Sequence, residues 1–207
     1  MDTALTGLLE ISSARHSHLC PRQVLGARIG LAGVATLGLE LPRHDKRLLV
    51  ILETDGCFAD GIEAATGCTV GHRTLRIEDY GKIAATFVNV EDEQAFRIAP
   101  RLDVRQLAFD YAGDECRHYF AQLQAYQSML DDELLTIQSV FLNASIKNIL
   151  SRAGVRVTCE QCGEEIINER EVVLDGNILC QPCAHGGYYD PAQEFPATYI
   201  LRQRVVD

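Results

Sequence analysis

The stretch Leu48-Leu49-Val50-Ile51-Leu52-Glu53-Thr54-Asp55-Gly56-Cys57 predicts a buried strand that ends in a turn. Its five consecutive apolar residues are too few for a buried helix and are typical of a strand inside a sheet. Residues 58–66 then predict a helix that stops at Gly67, because glycine accepts the left-handed conformation that often ends helices. This strand–turn–helix unit indicates a sheet packed with helices, and it places Cys57 between the two elements.

The sequence on either side of this unit predicts further helices and strands. Some segments carry apolar residues at helical spacing, while others are short and rich in aliphatic or aromatic residues. The predicted helices span residues 3–14, 21–33 and 114–130, and the predicted strands span residues 75–77, 83–90 and 134–143. The mixture predicts an α+β fold class, with a central, mostly antiparallel sheet packed with helices.

Composition and charge restrict the class of partner. The 207 residues are 47% hydrophobic and 23% charged, as in ordinary soluble globular proteins. The net charge of −10 argues against nucleic acid and anionic membranes, because both are bound largely through cationic surface. No apolar run approaches the length of about eighteen residues that spans a membrane, and no secretory signal is evident. We therefore expect a cytoplasmic protein without a nucleic-acid or membrane partner.

Four of the eight cysteines form two Cys-x2-Cys pairs, Cys159 with Cys162 and Cys180 with Cys183. Pairs separated by about 15–20 residues are a zinc spacing, because each pair presents two thiolates to a tetrahedral ion. Between the pairs, residues 171–179 predict a hairpin around an Asp-Gly turn. The sequence therefore predicts one zinc ion bound by four thiolates.

This zinc is predicted to be structural. Residues 156–185 carry two arginines and six acidic residues, the opposite of the balance that phosphate binding needs. A small module has too little core to fold alone, and a bound zinc stabilises it. We predict an α+β core domain over residues 1–152, followed by a zinc ribbon or treble clef over residues 153–207.

The other four cysteines are scattered over the first 120 residues. Cys20 directly precedes Pro21 at one predicted helix start, and Cys57 precedes another. Because a helix N-terminus stabilises an anion, both thiols are candidate thiolates. Cys68 follows a helix C-terminus, which disfavours a thiolate. Cys116 falls in the apolar stripe of the predicted long helix, a position typical of a buried, inert thiol.

His16 and His18 lie four and two residues before Cys20. Imidazole and thiolate together are suitable ligands for zinc, nickel, copper or iron. The group predicts a second metal site formed by His16, His18, Cys20 and Cys57. The alternative is that an individual histidine is only a helix cap or a surface residue.

Four short motifs occur in an order that resembles the E-subunit family of formylmethanofuran dehydrogenase. They are His16-Ser17-His18-Leu19-Cys20-Pro21, Asp55-Gly56-Cys57, Thr66-Gly67-Cys68-Thr69 and Asp79-Tyr80-Gly81-Lys82. The resemblance covers about residues 10–145, and some members of that family also carry a C-terminal cysteine zinc module. The chain departs from the family pattern at Arg15 and Ser17, where an aromatic residue and a glycine are usual, and at His72, where a lysine is usual.

The resemblance implies an α+β core that dimerises around a metal-binding pocket. His18, Cys20 and Cys57 would line this pocket, with Cys68 and Lys82 nearby, so that Cys68 also becomes a candidate ligand. The core metal would be zinc, nickel or iron. The family name implies association with a molybdenum or tungsten enzyme complex of one-carbon metabolism.

Three functions fit these features. The first is a metal-dependent enzyme or enzyme subunit, with Cys57 and Lys82 as catalytic candidates and His72 as another proton carrier. The second is a carrier of a metal or metallocofactor, without turnover. The third is a structural zinc protein, against which the grouping of His16, His18 and Cys20 argues. The sequence does not choose between an enzyme, an accessory component of an enzyme and a carrier.

Overall fold

The computed structural model of the protein describes residues 3–14, 16, 18–40 and 45–190. The chain divides into two compact units between Ile146 and Lys147. The predicted domain boundary, at residue 152, lies a few residues further along. The predicted module extends to residue 207, and its part beyond residue 190 lies outside the described residues, as do Arg15 and Ser17.

A five-stranded sheet of order β2-β1-β3-β4-β5 forms the centre of the first unit. Only the β1–β2 pair is parallel, whereas β1–β3, β3–β4 and β4–β5 are antiparallel. The predicted α+β fold with a mostly antiparallel sheet is therefore confirmed. The strands are β1 (Leu48–Leu52), β2 (Leu75–Ile77), β3 (Ala85–Asn89), β4 (Ala95–Pro100) and β5 (Leu135–Ser139).

Helices cover this sheet and carry the residues of interest. Within the described residues of the first unit they are α1 (Thr3–Ser13), α2 (Pro21–Thr36), α3 (Cys57–Thr66), α4 (Val104–Tyr111), α5 (His118–Ala125) and α6 (Asp131–Leu134). The predictions of α1, α2 and α3 are confirmed, and Gly67 ends α3 at a φ of 70° in the left-handed conformation. Helix α2 packs on the sheet at Gly33, which faces the ring of Phe87 in β3. A Cβ added to Gly33 would lie only 2.4 Å from that ring.

Helices α2 and α3 pack against each other through glycine. A Cβ added to Gly26 would lie 2.3 Å from the carbonyl oxygen of Phe58, and one added to Gly61 would lie 2.3 Å from that of Gln23. Only residues without a side chain permit such an approach of two backbones. The close contact falls near the first turns of both helices, so it also brings their N-termini together.

The prediction of one long helix over residues 114–130 is wrong. Within this range only the short α5 is helical, and it starts late because the carboxylate of Glu115 accepts hydrogen bonds from the backbone N–H and the guanidinium of Arg117. Such local side-chain bonds compete with helical hydrogen bonding. Cys116, expected to be buried in the helix, is exposed in this turn. Strand β4, whose last residue is Pro100, was not predicted from the sequence.

The described residues of the second unit contain two hairpins and two short helices, the first of which begins at Ile146, the last residue of the first unit. The elements are α7 (Ile146–Leu150), β6 (Arg156–Thr158), β7 (Glu165–Ile167), β8 (Val172–Leu174), β9 (Asn177–Leu179) and α8 (Gln181–His185). Asp175 and Gly176 connect β8 to β9 with φ values of 52° and 85°, which confirms the predicted hairpin turn. In the ranges described, no helix has the length and apolarity needed to cross a membrane.

Candidate metal sites

The four C-terminal cysteines converge on one point. The sulfur atoms of Cys159, Cys162, Cys180 and Cys183 all lie within 4.8 Å of one another. The sequence prediction of a four-cysteine metal-binding cluster is confirmed, and four thiolates are a donor set typical of structural zinc sites. In the part of the chain that the structure describes, no other group of three or more such residues meets this distance.

Two turns bring these cysteines together. Gly163, at a φ of 78°, donates its N–H to the carbonyl oxygen of Cys159 at 2.9 Å, which closes the first turn. Cys180 follows β9 and precedes α8, and its N–H donates to Cys159 Sγ at 3.3 Å. Cys162 Sγ lies 3.8 Å from Cys180 Sγ. The hairpins therefore place the two cysteine pairs around a common centre.

The thiols of this cluster are strongly coupled. The backbone N–H groups of Cys162 and Cys180 lower the pKa of Cys159 to about 6. A hydrogen bond with Cys180 raises the pKa of Cys183 to about 12. Four neighbouring thiols cannot all ionise on their own, whereas a coordinated cation deprotonates them outright. The cluster is thus chemically suited to a divalent metal.

In the first unit, Cys20 and Cys57 lie side by side. Cys20 precedes the first residue of α2 and Cys57 is the first residue of α3, and the Cys20 thiol is close enough to raise the pKa of Cys57. Gln23 holds the α2 end of the pair. Its Oε1 accepts from the backbone N–H of Cys20 at 2.8 Å, and its Nε2 donates to the carbonyl oxygen of Ser12 at 3.1 Å. Cys20 is 6% exposed and Cys57 is half-buried, so the pair opens towards solvent at Cys57.

The sequence suggested that the start of α3 would lower the pKa of the Cys57 thiol, but the pKa of Cys57 is raised. Burial, a hydrogen bond with Cys20 and the charge of Cys20 raise the pKa of Cys57, and these outweigh Arg22 and the backbone N–H, which lower it. Two thiols in contact resist double ionisation in the same way as the C-terminal cluster. The thiol of Cys57 therefore favours the protonated state.

His16 pairs with an acidic residue that was not among the predicted site residues. Its Nε2 pairs with Oδ2 of Asp60. Asp60 follows Cys57 by three residues in α3, and residues at this spacing share one face of a helix. Asp60, which holds the imidazole of His16, therefore lies on the same face of α3 as Cys57. His18 is exposed.

Tyr119, in α5, also reaches this site. Its hydroxyl donates to the carbonyl oxygen of Leu19 at 3.2 Å, across 100 residues of chain. Burial and the nearby charges of Cys20 and Cys57 raise the pKa of Tyr119. In the sequence Tyr119 was only one member of an apolar stripe, and no local signal linked it to Cys20.

The remaining candidates lie in different places. Cys68 follows the far end of α3, and a helix of ten residues is about 15 Å long, so the structure does not bring Cys68 to Cys57. Its Sγ lies 3.7 Å from the carbonyl oxygen of Leu48, and burial raises its pKa. Cys68 and His72 line a separate cavity of about 170 Å³. The side chain of Lys82 is exposed, and the backbone N–H of Lys82 donates to the carbonyl oxygen of Glu53, just after β1.

These features define a small α+β protein with a four-cysteine metal-binding cluster. The chain belongs to the FmdE family, described as "FmdE, Molybdenum formylmethanofuran dehydrogenase operon", which matches residues 15–165. The resemblance inferred from the four motifs is thereby confirmed.

Two relatives show how far the similarity extends. A protein of Archaeoglobus fulgidus named "Probable S-adenosyl-L-methionine-binding protein" is 28% identical over 89% of this chain, which spans about half (54%) of that relative. A crystal structure of a tungsten formylmethanofuran dehydrogenase FmdE-like protein from Syntrophus aciditrophicus superposes with a TM-score of 0.56 at 19% identity. The match covers 89% of this chain and 94% of the other, and it establishes the similarity of fold.

Proposed function

We propose that this protein binds two metal ions, a structural zinc and a second transition metal in the first unit. Cys159, Cys162, Cys180 and Cys183 would hold the zinc. Cys20 and Cys57, with a histidine from the preceding loop, would hold the second metal, which is zinc, nickel or iron. The observation that carries the proposal is the proximity of the Cys20 and Cys57 thiols at two adjoining helix starts.

The surroundings of the thiol pair support a binding site over a simple packing contact. Buried Gln23 is hydrogen bonded to the backbone of Cys20, and glycines permit the helix crossing that brings Cys57 alongside. His16, held on Asp60, supplies an imidazole on the same side of α3. Mixed nitrogen and sulfur ligands suit the transition metals named above. Because Cys57 is half-buried, a bound ion would keep a side open to another molecule.

For the role of this site we favour a metal-dependent enzyme or accessory subunit over a metal carrier. The family description names a molybdenum enzyme operon and the solved relative is titled for a tungsten enzyme, which supports a role in one-carbon redox metabolism. Cys57 is the candidate catalytic residue at the open side, with Lys82 as a second candidate. The carrier alternative is supported by the exposure of Cys57 and by the net charge of −10, which would attract cations.

We further propose a cytoplasmic homodimer that associates with a molybdenum or tungsten enzyme. All eight cysteines are free thiols, as expected in a reducing compartment. Apolar side chains are exposed at and beyond edge strand β5, including Ile137 and the fully exposed Phe141, and such groups favour a protein partner. Analytical ultracentrifugation would test the dimer directly.

Elemental analysis of full-length protein purified without added metal tests the two-metal proposal. We expect two metal ions per chain in the wild type and one in the double variant Cys20→Ala/Cys57→Ala. Cys116→Ala is the matched control, because Cys116 is exposed and lies outside both groups of cysteines. One ion per chain that the double variant retains would refute the core site.

Metal exchange separates the two roles. An enzyme should keep the core metal when a small chelator competes for it, and its activity should follow the metal content. A carrier should lose the core metal within minutes to the same chelator while the C-terminal zinc stays bound. Slow exchange would contradict the carrier.

A further inference from the structure

We propose that Asp60 is a positioning residue for the core metal, acting through His16. Its carboxylate would fix the imidazole so that Nδ1 is the atom that binds the ion. The inference deepens the proposed core site and rests on it. Asp60 itself would not touch the metal.

The hydrogen bond between the two side chains determines which nitrogen is available. Oδ2 of Asp60 pairs with Nε2 of His16, and the side chains are 22% and 34% exposed. An ionised carboxylate only accepts hydrogen bonds, so Nε2 must carry the proton. A neutral imidazole protonated at Nε2 has its lone pair at Nδ1, and this is the nitrogen that can coordinate a cation.

The two partners differ in how firmly the fold holds them. Asp60 lies in the first turns of α3, next to Gly61, whose contact with the carbonyl oxygen of Gln23 locks α3 against α2. His16 lies between α1 and α2, outside any helix or strand. A carboxylate on a rigid helix therefore holds an imidazole from a connecting segment. Carboxylate partners of this kind orient metal-binding histidines and raise their basicity.

The position of Asp60 relative to Cys57 also fits this role. The spacing of three residues places Asp60 on the same face of α3 as Cys57, whose thiol lies beside that of Cys20. Asp55 provides an internal comparison, because it lies two residues before Cys57 and carries the same charge. Asp55 is exposed in the turn after β1, and it is Asp60 that accepts the hydrogen bond from His16 Nε2.

Cobalt(II) binding to the full-length protein, with zinc already in the C-terminal cluster, tests the inference. Affinity is measured by competition with a chromophoric chelator. We expect Asp60→Ala to weaken the core site about 10- to 100-fold, the usual cost of losing such a partner. Asp60→Asn should lose less, because its amide oxygen still accepts from Nε2–H, and Asp55→Asn should match the wild type. Unchanged affinity in Asp60→Ala would overturn the inference.

A double-mutant cycle separates a positioning residue from a direct ligand. If Asp60 acts only through His16, then Asp60→Ala should have no further effect in a His16→Ala background. An equal loss of affinity in both backgrounds would mean that Asp60 binds the metal or supports the fold, and would overturn the inference.

A metal-free measurement distinguishes this inference from the proposed function. Long-range ¹H–¹⁵N spectra of the histidine rings should show His16 protonated at Nε2 in the wild type and as a mixture of tautomers in Asp60→Ala. Protonation at Nδ1 in the wild type would overturn the inference. If the tautomer follows Asp60 but no core metal binds, the proposed metal site fails and only the orientation of His16 by Asp60 stands.

Discussion

Gly61→Ala should destabilise the first unit and separate the two core cysteines. The new Cβ would lie 2.3 Å from the carbonyl oxygen of Gln23, 2.8 Å from the backbone nitrogen of Ala27 and 2.9 Å from Cα of Gly26. Ordinary contacts begin at about 3.5 Å, so α2 and α3 must move apart by about 1 Å. Overpacking costs about 1–3 kcal/mol, and the upper end applies because all three contacts are backbone atoms.

Alanine recovers part of this cost through its better helix propensity, which is worth about 1 kcal/mol. We therefore expect a net loss of about 2 kcal/mol in the free energy of unfolding. Gly7→Ala in α1 is the matched control, because nothing lies within 4 Å of its added Cβ. It should gain as much as about 1 kcal/mol from the same change in propensity.

Urea unfolding followed by circular dichroism measures both variants, with zinc bound to the C-terminal cluster. The midpoint should fall for Gly61→Ala and rise for Gly7→Ala, with an unchanged slope. Cobalt(II) affinity at the core site should fall together with stability in Gly61→Ala only. Equal stability of Gly61→Ala and the wild type would refute the argument that these backbones are in contact.

Three further predictions concern pH, metal removal and Cys68. Burial raises the pKa of Tyr126 to about 12, so the folded state favours the neutral phenol. The free energy of unfolding should therefore fall by about 2 kcal/mol between pH 10 and 12. This fall should disappear in Tyr126→Phe and persist in Tyr80→Phe, whose side chain is exposed. Cys180→Ala or a strong chelator should unfold the second unit alone, seen as protease cleavage after residue 146 while the first-unit fragment survives. Cys68→Ala should leave the core metal content unchanged, and loss of that metal would show that α3 does not keep Cys68 away from the site.

Local patterns predicted the elements that carry the candidate site. The apolar run over residues 48–52, the start of α2 at Pro21 and the end of α3 at Gly67 were all predicted correctly, because each depends on neighbours within one helical turn or one strand. The C-terminal cluster was predictable for the same reason, since each pair of cysteines closes within a single turn.

The errors arose where a local bond or a distant partner overrode the pattern. The apolar stripe after residue 114 has helical spacing, but the bonds between Glu115 and Arg117 delay the start of α5. Strand β4 was missed because an acidic turn precedes it and Pro100 ends it, although pairing with β3 and β5 stabilises it. Pairing of this kind depends on strands far away in the chain.

The sequence alone determined that this chain has a four-cysteine metal cluster and two further cysteines at helix starts. Only the tertiary structure decided that Cys20 lies beside Cys57, that Asp60 holds His16, that Tyr119 reaches Leu19, and that Cys68 lies elsewhere. The physical reason is the crossing of α2 and α3 at Gly26 and Gly61, where the absence of side chains lets two helices meet near their first turns. Residue spacing describes contacts within a turn, whereas contacts across tens of residues follow from how the helices pack.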